Sequence, residues 1–448
     1  MDHLNERPAG HLLRVLGLAF GLAVVVGGVV GQGILRTPGI VAGAVPDPKL
    51  ILLLWLVGGL VIAIDACAWA ELGSSIPCTG GPYILARRAF GKTTGIVVGW
   101  ADWISNMLVI SFLSVVFGEY CQRLGIGAEL PIATLSLSLI FLCWAINWTG
   151  TRISGFSQTL FSAAKGVALT AFVIMLFVMP PIAAPPAPAA DSGAIMPMLG
   201  VAALLVAASN VMNTYNGWTG SVYFGEELVN PQRNVARALF GGILVVMLLY
   251  LAVNAALLHV LTPTDMSRSI LPVGDAMGRI LGPRADTIVN GLALLSVGAS
   301  ANLYLMFTSR TGFAMARDGV VPRYFERTSA TGTPRRALAA SAIVATVAAA
   351  SGTYMELIAL AIPLTAAIVA AIDVAAIVMR RKEPDLPRPF KMPLFPLPAL
   401  IGLALNLSLL VALVVSDPFH AATGLAAAVT LGLLYSFLSR REPRAESA

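Results

Sequence analysis

Val29-Val30-Gly31-Gln32-Gly33-Ile34-Leu35 sits in the middle of an apolar run from about Leu12 to Ala44. That run is long enough to cross a bilayer, for which about 20 apolar residues suffice. Two glycines around a polar glutamine weaken a helix at that depth, and backbone freed from helical bonding finds no water in lipid. Such a break persists only where protein or a watery cavity surrounds it. Two readings follow: a helix interrupted in order to bind a solute, or a close Gly-x-Gly contact between packed helices.

The rest of the chain has the same character. Of 448 residues, 57% are hydrophobic and only 12% charged, with a mean hydropathy of +0.82; soluble domains carry about 25% charged residues. The apolar runs have helix length, unlike the short alternating segments of an outer-membrane barrel, so the expected fold class is an all-α, polytopic membrane protein. The first run is too long for a cleavable signal peptide. The net charge of +6 falls in alternate loops, which argues against nucleic acid as a partner and for the lipid bilayer. Cys67, Cys78, Cys121 and Cys143 form no CxxC pair and read as small packing residues; Cys121, near an external helix end, is the one that could link to a partner chain. The four histidines are scattered. With no metal-ligand spacing and no nucleophile–base pair, no catalytic residue, metal or cofactor is expected, and an enzyme is disfavoured.

Twelve spans are expected, near residues 12–43, 50–76, 95–121, 130–148, 154–180, 197–229, 235–262, 284–313, 336–352, 355–379, 394–416 and 420–438. With twelve spans, the basic residues of the N-terminal segment, of the even-numbered exits (Arg87, Arg88, Arg152, Arg233, Arg310, Arg317, Arg380, Arg388) and of the tail all share one side. The positive-inside rule makes that side, and both termini, cytoplasmic. The Pro/Ala-rich stretch Pro180–Ala190 reads as an external linker. After it, Asn213-Thr214-Tyr215-Asn216-Gly217-Trp218-Thr219-Gly220 repeats in span 6 the oddity of span 1. Five spans separate the two, so the halves have opposite orientation, the pattern of an inverted-repeat transporter with its site at the breaks. The repeats are placed at residues 1–180 and 181–380, with 381–448 holding the last two spans and a short tail. Amphipathic segments after span 2 (Pro82 to Gly91) and after span 7 (Leu271 to Gly282) are a second correspondence.

An unwound segment turns bare helix ends toward a cavity. Free N–H groups favour an anion and free carbonyls a cation. N–H donors are expected from Gln32, Gly33 and Ile34, with Gly31 beside them in the site, and carbonyls from Val29, Val30, Asn213 and Thr214. A carboxylate next to an ammonium is the α-amino acid headgroup, so a zwitterion is the natural ligand. Lys165 lies about 12 residues into span 5, roughly 18 Å deep. It requires a carbonyl or hydroxyl partner there, and reads either as a built-in cation standing in for sodium or as a structural lysine. Ser300 and Asn302 of span 8 are candidate partners or site neighbours. Asn106 and Ile110 on span 3, Tyr215 and Gly217 are further candidates for the substrate site. Glu71, Asp102, Glu226 and Glu227 are expected to pair with loop arginines, Asp373 with Arg380, and Arg36 to face the outer vestibule. Asn230-Pro231 reads as a helix N-cap and first turn.

At these residues the chain resembles the amino acid–polyamine–organocation superfamily, near its L-type amino acid transporter branch, over nearly its whole length. Gly31-Gln32-Gly33-Ile34-Leu35 is similar to the family's Gly-Ser/Thr-Gly-Ile-Phe. Similar family segments are Ala70-Glu71-Leu72-Gly73 with Gly80-Gly81-Pro82-Tyr83, Glu226-Glu227 with Asn230-Pro231, Ser309-Arg310 through Asp318-Gly319, and Arg381-Lys382-Glu383-Pro384 through Phe390. The resemblance implies a leucine-transporter-type 5+5 fold with broken helices 1 and 6, alternating access, an amino acid or amine substrate, and Lys165 as the span-5 lysine of sodium-independent members. Gln32 replaces the usual small hydroxyl residue, and Asn213 stands where many members have a gating aromatic, so gating passes to Tyr215 or Trp218. The function expected is a sodium-independent amino acid permease, an exchanger or proton symporter, of the cytoplasmic membrane, acting as a monomer. Its alternatives are a polyamine or amine transporter, disfavoured because no carboxylates cluster near the breaks, and a non-transporting amino acid sensor, disfavoured by the short tails.

Overall fold

The computed structural model describes residues 12–31, 33–180, 182, 200–351 and 353–441. Gln32 and most of the Pro/Ala linker lie outside the described residues. The chain runs through α1 (Leu18–Val29), α2 (Gly33–Ala44), α3 (Pro48–Ser75), α4 (Pro82–Phe90), α5 (Lys92–Arg123), α6 (Ile132–Thr149), α7 (Thr151–Val178) and α8 (Val201–Thr214). After a 3₁₀ turn at Trp218–Tyr223 come α9 (Pro231–Val260), α10 (Pro263–Ser267), α11 (Pro272–Leu281), α12 (Ala285–Arg317), α13 (Arg335–Ser351), α14 (Tyr354–Lys382), α15 (Leu397–Ser416) and α16 (Pro418–Arg441). Among the described residues nine helices are long and apolar enough to cross a membrane, and the bent pair α1–α2 makes a tenth. The apolar α8 and α13 are shorter, at 14 and 17 residues.

Local chemistry sets several boundaries. Asp47 accepts hydrogen bonds from the N–H groups of Lys49 and Leu50 at 2.8 and 2.9 Å and caps α3, with Pro48 in the first turn. Thr353 and Glu356 form a reciprocal capping box that starts α14, two orphan donors satisfied at once. Asn230 departs from expectation: it precedes Pro231 at the start of α9, but its φ of 49° is left-handed and its side chain makes no cap bond.

Helix burial sorts the bundle. Two-thirds of the apolar window of α5 is buried (67%), against 11% for α15. α5 packs against α12, α14, α16 and α6 and is the central post. Outward residues such as Phe156, Val167 and Val411 are apolar and exposed, as a lipid-facing surface requires.

The first break is a bend of 47° between α1 and α2. At Val30 the backbone turns extended, with ψ 95°. The sixth crossing is interrupted differently. α8 stops at Thr214, Gly217 takes a left-handed φ of +101°, and only the short 3₁₀ turn follows instead of a second α-helical half. The two interruptions touch: a Cβ on Gly217 would lie 2.5 Å from the Gly28 carbonyl oxygen. Glycine is therefore required at Gly217 by conformation and by space. Backbone bonds from Leu16 N–H to Glu227 O (2.9 Å) and from Val229 N–H to Leu16 O (2.8 Å) tie the entrance of α1 beside the segment after the 3₁₀ turn.

Candidate functional site

A cavity of about 340 Å³ opens where the two breaks meet. Its wall includes Gly28, Val29, Gly31 and Gly33 from the first break, and Asn213, Thr214, Asn216 and Gly217 from the second. Asp102 and Asn106 of α5 and Ser300 of α12 also contribute. From there it extends along Arg36, Phe112 and Tyr354 toward the start of α14. The first turn of α2 presents N–H groups that its own helix leaves unpaired, against this space. Arg36 lines it as well, and its Nε is buried without a hydrogen-bond partner among the described residues.

Lys165 is fully buried. Its ammonium donates to the carbonyls of Gly27 (3.0 Å) and Val30 (2.9 Å) and to Ser300 Oγ (3.0 Å). It thus pins the last turn of α1 to α7 and α12, beside the cavity. Tyr250 of α9 donates its hydroxyl to the Val29 carbonyl at 2.9 Å and also lies 3.3 Å from the Thr214 carbonyl, joining the two breaks from behind. No sequence signal marked Tyr250.

Several expected roles are corrected by this geometry. The Val30 carbonyl is not free for an ammonium group, because Lys165 and Ser296 Oγ (3.1 Å) occupy both its lone pairs, and Val30 does not line the cavity. The Asn213 carbonyl is engaged by the N–H of Asn216 at 3.2 Å, although Asn213 itself is on the wall. Ile34 and Ile110 are fully buried in the core, off the cavity. Asn302 faces away: it donates to Gln158 Oε1 and accepts from Asn147 Nδ2, each at 2.8 Å, locking α12 to α6 and α7. Tyr215 is buried beside Trp55 and Tyr250 and donates to the Trp55 carbonyl at 3.0 Å; it anchors the turn and does not stand in the opening. Trp218 is buried edge-on against Trp69 at 5.7 Å, and Trp69 is the one that meets the cavity. Gln32 lies outside the described residues. Thr214 is on the wall, with its hydroxyl 2.7 Å from that of Thr37.

Asp102 is the largest departure. Among the described residues it pairs with no arginine. Its carboxylate accepts from the hydroxyls of Tyr223 (2.5 Å) and Thr311 (2.7 Å) and from Asn106 Nδ2 (3.0 Å) at the floor of the cavity. The spacing was a signal: Asp102 and Asn106 are four residues apart, on one helical face.

Beyond that floor the cavity is closed by ion pairs. Arg310 and Glu227 form a bidentate pair at 2.9 and 3.1 Å with both side chains wholly buried. Arg317 grips Glu226 at 2.7 and 2.9 Å. Arg380 and Arg388 converge on Glu71, which also accepts the Met392 N–H at 2.7 Å. Arg87 pairs with Asp318, and Arg88 with Glu383 at 2.7 Å, holding that loop carboxyl below its ordinary range. Glu71, Glu226 and Glu227 thus find arginines as expected. Asp373 does not, since Arg380 is committed to Glu71. The cysteines are all free, and Cys121 is buried, which removes it as a ready link to another chain.

A helical membrane protein whose two interrupted crossings meet at a polar cavity, open along one side and ionically closed on the other, has the build of a solute carrier. The amino acid permease family model matches residues 13–436, and the chain belongs to that family, a family of transporters and not of enzymes. Among its relatives are the serine/threonine exchanger SteT of Bacillus subtilis (strain 168), 28% identical over 69% of this chain and 70% of that protein. The b(0,+)-type amino acid transporter 1 of Mus musculus is 27% identical over 97% and 90%, and the large neutral amino acids transporter small subunit 2 of Mus musculus 28% over 94% and 80%.

Proposed function

We propose that this chain is a secondary active transporter of amino acids in the cytoplasmic membrane, working by alternating access as a sodium-independent exchanger or proton symporter. The carrying observation is the meeting of the two breaks at one cavity beside a fixed ammonium. The unpaired N–H groups at the start of α2 suit the α-carboxylate. The second lone pair of the Val29 carbonyl and the polar wall at Asn213 and Asn216 suit the α-ammonium. Lys165 supplies in covalent form the positive charge that a sodium ion would otherwise bring between α1, α7 and α12, hence sodium independence. The printed functions of the relatives support an amino acid substrate.

The bent pair, the nine long helices, α8 with its 3₁₀ turn, and α13 together make twelve crossings. They group as repeats at residues 1–180 and 181–380 followed by the final pair, with both termini cytoplasmic and the ion-pair layer on the inner side. The working unit is a monomer; one relative's name, a small subunit, makes oligomeric state a direct question for light scattering.

The test is a thermal-shift panel of amino acids and amines on purified protein, followed by uptake into proteoliposomes with and without sodium and a pH gradient. Stabilisation and sodium-indifferent flux with amino acids are expected. Stabilisation by polyamines alone would mean an amine transporter, and binding without flux a sensor. In the same assay Gly217→Ala should weaken amino acid binding by about tenfold or more, because a left-handed alanine costs roughly 1–2 kcal/mol before its collision with Gly28 is counted; unchanged affinity would remove Gly217 from the site.

A further inference from the structure

A second polar centre lies away from the cavity, where α3, α14 and α15 meet. Asp65 and Asp373 are both buried there, at 5% and 0% exposure. Asn406 of α15 donates its amide N–H groups to Asp65 Oδ2 (3.2 Å), Asp373 Oδ2 (3.4 Å) and the Gly402 carbonyl (2.8 Å). The other oxygen of each carboxyl, Asp65 Oδ1 and Asp373 Oδ1, has no hydrogen-bond partner among the described residues. Gly402 leaves the room: a Cβ on it would collide with Asp65 Oδ1 and lie 3.0 and 3.1 Å from the Asp373 oxygens. The two carboxyls therefore flank one small space.

Among the described residues no basic side chain pairs with either carboxyl. On α3, Cys67 is bonded to the Ala63 carbonyl, and Glu71 is taken by Arg380 and Arg388. On α14 the basic side chains sit in the last turn and Glu356 is in the first. α15 carries no ionisable side chain. Of the neighbours packed on these helices, α9 has Arg233, Arg237 and His259 near its ends and Tyr250 on the Val29 carbonyl. α5 has Asp102 on its own three donors, and Lys92, Glu119 and Arg123 near its ends. α4 has Arg87 on Asp318, Arg88 on Glu383 and Tyr83 on Asp318. α16 has His420 on Asp417. Two bare carboxylates side by side in a membrane interior cannot both stay ionised. A metal ion would need a shell of oxygen ligands, but Asn406 turns N–H donors to the space, which suit carboxyl oxygens and repel a cation.

We propose that Asp65 and Asp373 share a proton and form a proton-binding site, separate from the substrate cavity, that releases its proton when α3 parts from α14 and α15. The wiring runs through α3. Tyr215, at the second break, bonds the Trp55 carbonyl of α3, ten residues before Asp65. α3 also packs along α9, whose Tyr250 holds both breaks. Rearrangement of the breaks thus pulls on the helix that carries Asp65. The release step rests on the permease reading; the shared proton does not.

Infrared spectroscopy of the full chain in lipid, with carboxyl bands assigned by comparison with variants, separates the two. The wild type is expected to show a protonated-carboxyl band at neutral pH that disappears in Asp65→Asn/Asp373→Asn. Absence of the band in the wild type, or its survival in the variant, overturns the proton site whatever the transport result. In proteoliposomes holding a pH-sensitive dye, wild-type net uptake should carry protons. The double variant should keep amino acid exchange while losing proton movement and stimulation by a pH gradient. Equal proton movement in both, or none in the wild type, overturns coupling. If the double variant does not fold, each single Asn variant serves, because an amide can donate the hydrogen bond that the proton supplied.

Discussion

Lys165→Ala is expected to leave a folded, helical protein that no longer transports. The substitution removes one ammonium and the three bonds it makes, at 2.9 to 3.0 Å, to the Gly27 and Val30 carbonyls and to Ser300. Each buried acceptor left unsatisfied costs about 1–3 kcal/mol. Val30 keeps Ser296 and Gly27 keeps Ser300, so the net loss is at the lower end of that sum, roughly 3 kcal/mol. That falls on the α1–α2 junction and not on the core, and it corresponds to at least a hundredfold loss of flux at about 1.4 kcal/mol per decade. Circular dichroism and size exclusion should be unchanged. Full sodium-independent flux in the variant would dismiss the ammonium as a resident cation. Restoration of flux by sodium in Lys165→Ala would strengthen it, because the vacated space would then accept the ion.

Arg310→Met alone, or Glu227→Leu alone, should be the most damaging change to stability in the ion-pair layer. Both side chains have zero exposure, and Thr151 and Ser309 complete their bonding. Removing one partner strands an uncompensated charge, at a cost of about 3–5 kcal/mol. The double replacement Arg310→Met/Glu227→Leu should recover much of that loss, since a buried pair replaced by apolar groups is often close to neutral. Thermal midpoints in detergent for the two singles and the double measure this coupling. Additive losses in the double would mean that the two side chains do not act as a pair. If the pair closes the inner side of the cavity, the stable double variant should also leak substrate faster than wild type.

How far the sequence could be read depends on whether partners were close along the chain. The break in the first crossing was visible because Gly31 and Gly33 bracket a polar residue inside an apolar run, a purely local conflict. Lys165 was visible as a charge at the wrong depth, whereas Ser300 and Asn302 were both candidates for its partner and the sequence alone did not separate them. Asn302 is two residues from Ser300, about 200° around an α-helix, and cannot share its face. Tyr215 and Trp218 were misassigned because an aromatic beside a break may be written into a gate or an anchor with the same letters; the left-handed Gly217 turns them into the core. Asp373 and Arg380 are seven residues apart on one face, which suggested a pair, but Glu71 gathers Arg380, Arg388 and the Met392 N–H from distant segments. Asp65 drew no attention because its neighbours Asp373 and Asn406 come from the other end of the chain. The second crossing-break was expected to have a helical half on either side, and the 3₁₀ turn at Trp218–Tyr223 reflects two glycines, Gly217 and Gly220, packed against Gly28 and Val24.

The most direct test of the central claim is binding to purified wild-type protein by scintillation proximity, comparing the amino acid that stabilises it most with its decarboxylated amine and its deaminated acid. Because the N–H groups at the start of α2 and the remaining lone pair of the Val29 carbonyl with its polar wall must be met together, the account predicts that only the intact zwitterion competes. Equal competition by the amine or by the acid would contradict it.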